Sequence, residues 1–144
     1  MKVLLVEENS ALRRVIRQLV ALPGIWIQEC ADAANAMAAH AASPADLVIM
    51  DILMPDQDGL ETTATLLREF PNVKVIAITG GSDMIGILNF LDVAKMLGSH
   101  SILLKPFEMK TLLDPIQAEL QAYRVLKKSL FSPVRPRHYF TLPP

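Results

Sequence analysis

Five short apolar runs, each cut off by polar residues, alternate with stretches of helical spacing, and this alternation restricts the chain more than any other feature. The runs are Lys2–Val6 (KVLLV), Ile25–Gln28 (IWIQ), Asp46–Met50 (DLVIM), Val73–Ile78 (VKVIAI) and Ser101–Leu104 (SILL). Between the first two, Leu12, Val15, Ile16, Leu19 and Val20 recur at helical spacing until Pro23-Gly24 stops them. The spacing and propensities predict further helices over Ala33–Ala42, Leu60–Phe70, Ile85–Leu97 (capped by Gly98) and Glu108–Lys128. Strand–helix alternation of this kind implies an α/β fold, with a parallel sheet covered on both faces. The first, third and fourth runs are apolar throughout, as doubly covered strands are.

At 144 residues the chain fits one ordinary domain and can bury a core without disulfides. Its net charge of −1 argues against bulk nucleic-acid binding. A single cysteine, Cys30, excludes an internal disulfide or a multi-thiolate zinc site. The run Val3–Val6 is too short for a signal peptide and nothing reaches spanning length, so a cytoplasmic protein without membrane contact is expected. Residues 132–144 hold four of the ten prolines. The expected division is a domain over 1–128 and a Pro-rich, flexible tail over 129–144, in which Arg135, Arg137, His138, Tyr139 and Phe140 could serve as a docking peptide.

In an open α/β sheet, ligands bind beyond the carboxyl ends of the strands. Glu7 and Glu8 follow the first strand, Asp51 the third, Thr79 the fourth and Lys105-Pro106 the fifth. Each alone has an ordinary explanation as a cap, loop residue or surface charge; four polar strand ends sharing one sheet edge do not. Carboxylates ~4 Å apart repel by about 4 kcal/mol at an effective dielectric near 20. A hard divalent cation relieves that, and an all-oxygen site suits Mg²⁺. A metal, a lysine and a hydroxyl beside a carboxylate form an arrangement for phosphoryl transfer.

With Leu5-Val6-Glu7-Glu8-Asn9, VIMDILMPDQDGLE over Val48–Glu61, Ile78-Thr79-Gly80 and Lys105-Pro106-Phe107, the chain resembles the receiver domain of two-component response regulators over Lys2–Lys128. The resemblance implies a doubly wound, flavodoxin-like (βα)5 fold with strand order 2-1-3-4-5. It implies a signalling protein rather than an enzyme, one that accepts a phosphoryl group from a histidine kinase or phosphotransfer protein. Asp51 would be the phosphoacceptor. Glu8, Asp51 and the backbone carbonyl of Leu53 would hold Mg²⁺ directly, and Glu7 through water. Lys105 would pair with Asp51 and later with the phosphoryl group, and Thr79 would hydrogen-bond a phosphoryl oxygen. Pro106 would follow a cis peptide. Pro55 and Gly59 would shape the loop behind Asp51, with Gly59 supplying a positive φ.

Several positions depart from the family's usual pattern. Glu7-Glu8 replaces a pair in which Asp is commoner, and the extra methylenes predict weaker Mg²⁺ binding. Ile102 stands where a switching aromatic is usual. The segment from Thr79 to Lys105 is long. No output module follows the last predicted helix, so the chain reads as a stand-alone receiver. It would signal by phosphorylation-dependent partner binding, through the face made by the Ile85–Leu97 helix, the fifth strand and the last helix, or as a homodimer. Leu88 and Met96 fall off the core stripe of the Ile85–Leu97 helix as candidate contacts. The alternative is a pseudo-receiver that acts as a phosphorylation-independent scaffold. Two other classes fit less well: an aspartate-nucleophile phosphatase wants a carboxylate at Leu53, and a flavin carrier wants a hydroxyl- and glycine-rich loop where EENSA stands.

Three structural and kinetic expectations follow from these residues. Lys105 and Asp51 should lie within salt-bridge reach. The last helix should kink or restart at Asp114-Pro115, where Pro lacks the N–H and Asp114 can cap. Self-dephosphorylation should be slow, because Leu53 has no polar side-chain atom to hold a water in line with phosphorus and Gly81 has no side chain. Positioning of this kind is commonly worth about ten- to thousand-fold in rate. A Leu53→Asn variant is therefore expected to lose its phosphoryl group faster than wild type, measured as phosphate release from the Mg²⁺-loaded phosphoprotein.

Overall fold

The computed structural model describes residues 1–54, 57–80 and 101–131, with the side chains of Gln57 and Asp58 excepted. The expected Ile85–Leu97 helix with its Gly98 cap, Leu88 and Met96, the Pro55 turn, Gly81 and the segment 132–144 lie outside the described residues.

The described elements run β1 (Lys2–Val6), α1 (Ser10–Val20), β2 (Trp26–Cys30), α2 (Ala33–Ala42), β3 (Leu47–Asp51), β4 (Leu53–Met54), β5 (Gln57–Asp58), α3 (Gly59–Glu69), β6 (Lys74–Thr79), β7 (Ser101–Leu104) and α4 (Met109–Phe131). Five of the strands form one parallel sheet in the order β2-β1-β3-β6-β7. Counting those five strands alone, this is the expected order 2-1-3-4-5. The small antiparallel β4–β5 pair was not anticipated.

The continuous apolar runs are explained by a split between two faces. Successive strand residues point to opposite sides. Val3, Leu5, Leu47, Ile49, Ile76 and Ile78 join Ile16 and Val20 of α1 and Leu112 and Ile116 of α4 in one core. Leu4, Val6, Val48, Met50, Val75 and Ala77 join Ala33 and Ala36 of α2 and Leu66 of α3 in the other. A polar residue at any of these inner strand positions would fall in one core or the other, so the runs have no solvent-facing positions to fill.

Local chemistry sets the helix starts. Asn9 caps α1, its side-chain oxygen accepting from the Leu12 N–H at 3.0 Å. Asp32 caps α2 in the same way through the Asn35 N–H at 2.7 Å. After α1 the chain turns at Gly24, whose φ of +90° suits a residue without a Cβ.

Two expectations are corrected here. Of the kink or restart expected at Pro115, the restart does not occur: α4 is continuous from Met109 to Phe131. The lost N–H bond is outweighed by packing, since Leu112 and Ile116 on either side of the proline are fully buried and Leu120 follows one turn later. Asp114 is not a cap but accepts from Lys110, one turn earlier on the same helix. The helix also passes the expected boundary at Lys128, to Phe131. Because Pro115 sits inside an intact helix, Pro115→Ala restores a backbone donor and is expected to stabilise the protein by about 1–3 kcal/mol, measured by urea unfolding.

Candidate functional site: an acidic pocket closed by one lysine

The parallel register brings the strand ends level. Val6 is paired with Met50, Asp51 with Ile78 and Thr79 with Leu104. The next backbone bonds continue the ladder: Glu7 N–H to the Cys30 carbonyl (3.2 Å), Ile52 N–H to Ile78 (2.9 Å) and Lys105 N–H to Thr79 (2.7 Å). Glu7, Asp51, Thr79 and Lys105 therefore meet at the carboxyl edge of the sheet. The Lys105–Pro106 peptide is cis, as expected.

Lys105 is the centre of the pocket. Its ammonium donates to Glu7 Oε2 at 2.8 Å and to Asp51 Oδ2 at 2.9 Å. The expected Lys105–Asp51 contact is present. The other carboxylate oxygens are also held: Glu7 Oε1 accepts from the Asn9 N–H and Asp51 Oδ1 from the Leu53 N–H, both at 3.0 Å. Glu7 is 1% exposed and Asp51 4%, so two buried carboxylates share one cation. Burial pushes the Asp51 carboxyl above its ordinary range; the Lys105 hydrogen bond pulls against that without cancelling it, and the Glu7 charge adds to the rise. Burial alone would depress the Lys105 ammonium, but its bonds to Glu7 and Asp51 outweigh this and hold its pKa above the usual lysine value.

Thr79 is fully buried, and its hydroxyl oxygen has no hydrogen-bond partner among the described residues. Glu8 is exposed, unlike Glu7. Among the described residues no three Asp, Glu, His or Cys side chains are grouped so as to hold a metal ion. Two carboxylates converge here, not the three expected.

Sequence reasoning missed two supports and misassigned a third. Arg13 reaches back from α1 to the Glu7 carbonyl at 2.7 Å and the Glu8 carbonyl at 3.4 Å, and so ties down the acidic loop. Glu29 on β2 holds Arg13 (3.6 Å) and Arg17 (3.0 Å). The detectable signal was a basic residue one turn into the helix that follows an acidic pair. Third, the role given to Gly59 is corrected: its φ is not positive. A Cβ there would lie 2.5 Å from the Asp51 carbonyl oxygen and 2.7 Å from Ile52 Cα. Gly59 is needed for close approach, not for an unusual dihedral. Gly80 likewise passes Lys105, where a Cβ would sit 2.7 Å from the lysine's own Cβ.

The donor set is compatible with magnesium. It is all oxygen, it carries more negative charge than Lys105 offsets, and Mg²⁺ commonly takes one or two carboxylates and completes its shell with water.

Fold and pocket together define a doubly wound α/β protein with an acidic, lysine-closed site at the carboxyl edge of its sheet. The sequence matches the response regulator receiver domain family over residues 3–117, and the chain belongs to that family. It is 32% identical over 126 residues to the C4-dicarboxylate transport transcriptional regulatory protein DctD of Pseudomonas aeruginosa, covering 87% of this chain and 26% of that protein. It is 28% identical over 123 residues to the DNA-binding transcriptional regulator NtrC of Proteus hauseri, covering 85% and 25%. The chain thus spans about a quarter of these two relatives. A CheY-like receiver domain protein from Methanospirillum hungatei has the same fold, with a TM-score of 0.75 at 22% identity, covering 87% of this chain and 97% of that one.

The direction of the Asp51 shift has a thermodynamic consequence. A carboxyl whose pKa is raised by folding binds protons more readily in the folded state, so its contribution to stability falls as pH rises from its ordinary 3.8 through the raised value. Above that range the penalty is constant. Asp51→Asn is therefore expected to be more stable than wild type at pH 7 in EDTA, and the difference should shrink toward zero below about pH 3.8. Urea unfolding at both pH values measures it.

Proposed function

We propose that this chain accepts a phosphoryl group on Asp51 from a histidine kinase or histidine phosphotransfer protein and signals through phosphorylation-dependent binding of a partner. The observation that carries this reading is the single ammonium of Lys105 bridging the buried carboxylates of Glu7 and Asp51. Two buried carboxylates sharing one ammonium are under-compensated, which suits a site that takes up further positive charge.

In the transfer, an Asp51 carboxylate oxygen attacks phosphorus. A new O–P bond forms as the bond from phosphorus to the donor's imidazole nitrogen breaks, and the electron pair leaves with that nitrogen. Lys105 lies against Asp51 and is placed to pair with an equatorial phosphoryl oxygen as charge spreads onto it. Thr79 brings a hydroxyl with no competing bond among the described residues. Gly80 leaves room for Lys105. Glu7, Glu8, Asp51 and the Leu53 carbonyl would hold Mg²⁺, with Glu7 acting through water; the ion would neutralise phosphoryl oxygens and so lower the barrier. Glu7 is already bonded to Lys105 and the Asn9 amide, which suits an indirect role. Described residues of the expected partner face include Leu104 and Met109, exposed by 46% and 58%.

Incubation with acetyl phosphate, with and without Mg²⁺, followed by intact mass measurement, tests the reading. The expected result is one phosphoryl addition that depends on Mg²⁺ and is absent in Asp51→Asn. Lys105→Ala should accept the group but lose the conformational response, read as an altered amide spectrum on phosphorylation. An unmodified wild type, or addition that persists in Asp51→Asn, would remove Asp51 as the acceptor.

A further inference from the structure

Arg13 holds three successive backbone carbonyls. Its side-chain Nη1 donates to the Glu7 carbonyl at 2.7 Å and to the Glu8 carbonyl at 3.4 Å, and its own N–H donates to the Asn9 carbonyl at 2.8 Å. The last is the first backbone bond of α1; the other two have no counterpart in helix geometry. Both come from an ionised donor, which makes them stronger than neutral bonds. With carbonyls 7, 8 and 9 all directed at one residue, the backbone of the acidic loop is fixed. So are the bonds along which the Glu7 and Glu8 side chains leave it.

Glu7 is also gripped from the other side. Its N–H donates to the Cys30 carbonyl, at the end of β2. Glu29, beside Cys30, holds Arg13 Nε at 3.6 Å and Arg17 Nε at 3.0 Å. The end of the edge strand thus acts on Glu7 twice, directly through its backbone and through Glu29 and Arg13. The Arg13 side chain is 21% exposed, so these contacts are partly shielded from water and salt.

Charge and geometry make opposite predictions for this arginine. A guanidinium beside two glutamates competes with any cation the pocket takes up, and one Glu29 does not offset both Arg13 and Arg17. By charge alone, Arg13 weakens cation binding. Mg²⁺, however, demands near-ideal octahedral geometry, and a glutamate has one more rotatable bond than an aspartate with which to miss it. Glu8 is exposed here, so the backbone that carries it limits where its carboxylate can go. Groups that orient metal ligands from behind typically change metal affinity by about 10- to 100-fold.

We propose that Arg13, held by Glu29, is a positioning residue for Mg²⁺ uptake: by binding the Glu7 and Glu8 carbonyls it aims the two glutamates, and it raises the affinity of the pocket despite its own positive charge. The inference rests on the proposed function, since the ion belongs to that reading.

The test is calorimetric titration of the full chain with Mg²⁺ at about 0.15 M salt, with no phosphoryl donor. Arg13→Ala is expected to bind Mg²⁺ roughly 10- to 100-fold more weakly than wild type. Arg13→Lys keeps the charge without the planar fork and should recover only part of the loss. Arg14→Ala removes the same charge from the exposed neighbouring position and should not weaken binding. Glu29→Gln should weaken it by about two- to five-fold in wild type and no further in Arg13→Ala. In EDTA the carbonyl carbon resonances of Glu7 and Glu8 should move in Arg13→Ala while that of Asp51 stays. Urea unfolding identifies folded variants, and Arg13→Gln carries the same expectation if Arg13→Ala does not fold. Unchanged or tighter binding in the Arg13 variants, an equal loss in Arg14→Ala, or no Mg²⁺ binding by wild type overturns the proposal. If Arg13→Ala loses Mg²⁺ affinity but acetyl phosphate leaves wild-type Asp51 unmodified, the Asp51 reading falls and this one stands. Modification of Asp51 with undiminished Mg²⁺ affinity in Arg13→Ala does the reverse.

Discussion

The site depends on one unequal sharing: a single ammonium between two buried carboxylates. Neither carboxylate can be relocated without exposing the other's charge, since Glu7 and Asp51 sit on different strands and meet only through Lys105. Removing the lysine would strand two buried carboxylates, whereas removing either carboxylate leaves Lys105 paired with the other. The arrangement therefore ties β1, β3 and the end of β7 to one geometry. The surrounding residues serve that constraint: Arg13 pins the carbonyls behind Glu7, Gly59 lets α3 start against the Asp51 backbone, and Gly80 gives Lys105 its path.

Most of the architecture was readable because strands buried on both faces leave an unmistakable record. KVLLV and SILL coincide with β1 and β7, and the Ala-rich stretch coincides with α2. β2 was displaced, from Ile25–Gln28 to Trp26–Cys30. It is an edge strand, and Glu29, which faces Arg13 and Arg17, lies past the apolar run that set the expected bounds. Glu7, Asp51, Thr79 and Lys105 were legible because each stands at the end of an apolar run. Their supports were not, because a salt bridge from α1 to β2 and a glycine chosen for closeness leave no spacing to read. Pro115 shows the opposite failure: a strong local signal overridden by the buried pair Leu112 and Ile116.

Gly59 and Pro115 share a lesson about local rules. A glycine is readily assigned to a special dihedral and a proline to a break, since those are their backbone properties. Here the glycine answers to a neighbour's carbonyl oxygen at 2.5 Å from a virtual Cβ, and the proline rides in a helix held by its packed face. Both outcomes are set by packing contacts and not by the residue's own backbone preference.

The Thr79 hydroxyl, which has no partner among the described residues, bears on how the molecule divides its time between conformations. A buried polar group left without a partner costs about 1–3 kcal/mol. That cost lies on this conformation alone if another arrangement satisfies the hydroxyl. The equilibrium between the two is then roughly five- to 150-fold closer to balance than it would be with a contented side chain at this position. A ligand that offers Thr79 an acceptor in the second arrangement only has that much less to supply. Replacing the threonine by an apolar residue of similar shape would deepen the resting basin and make the same ligand a weaker lever.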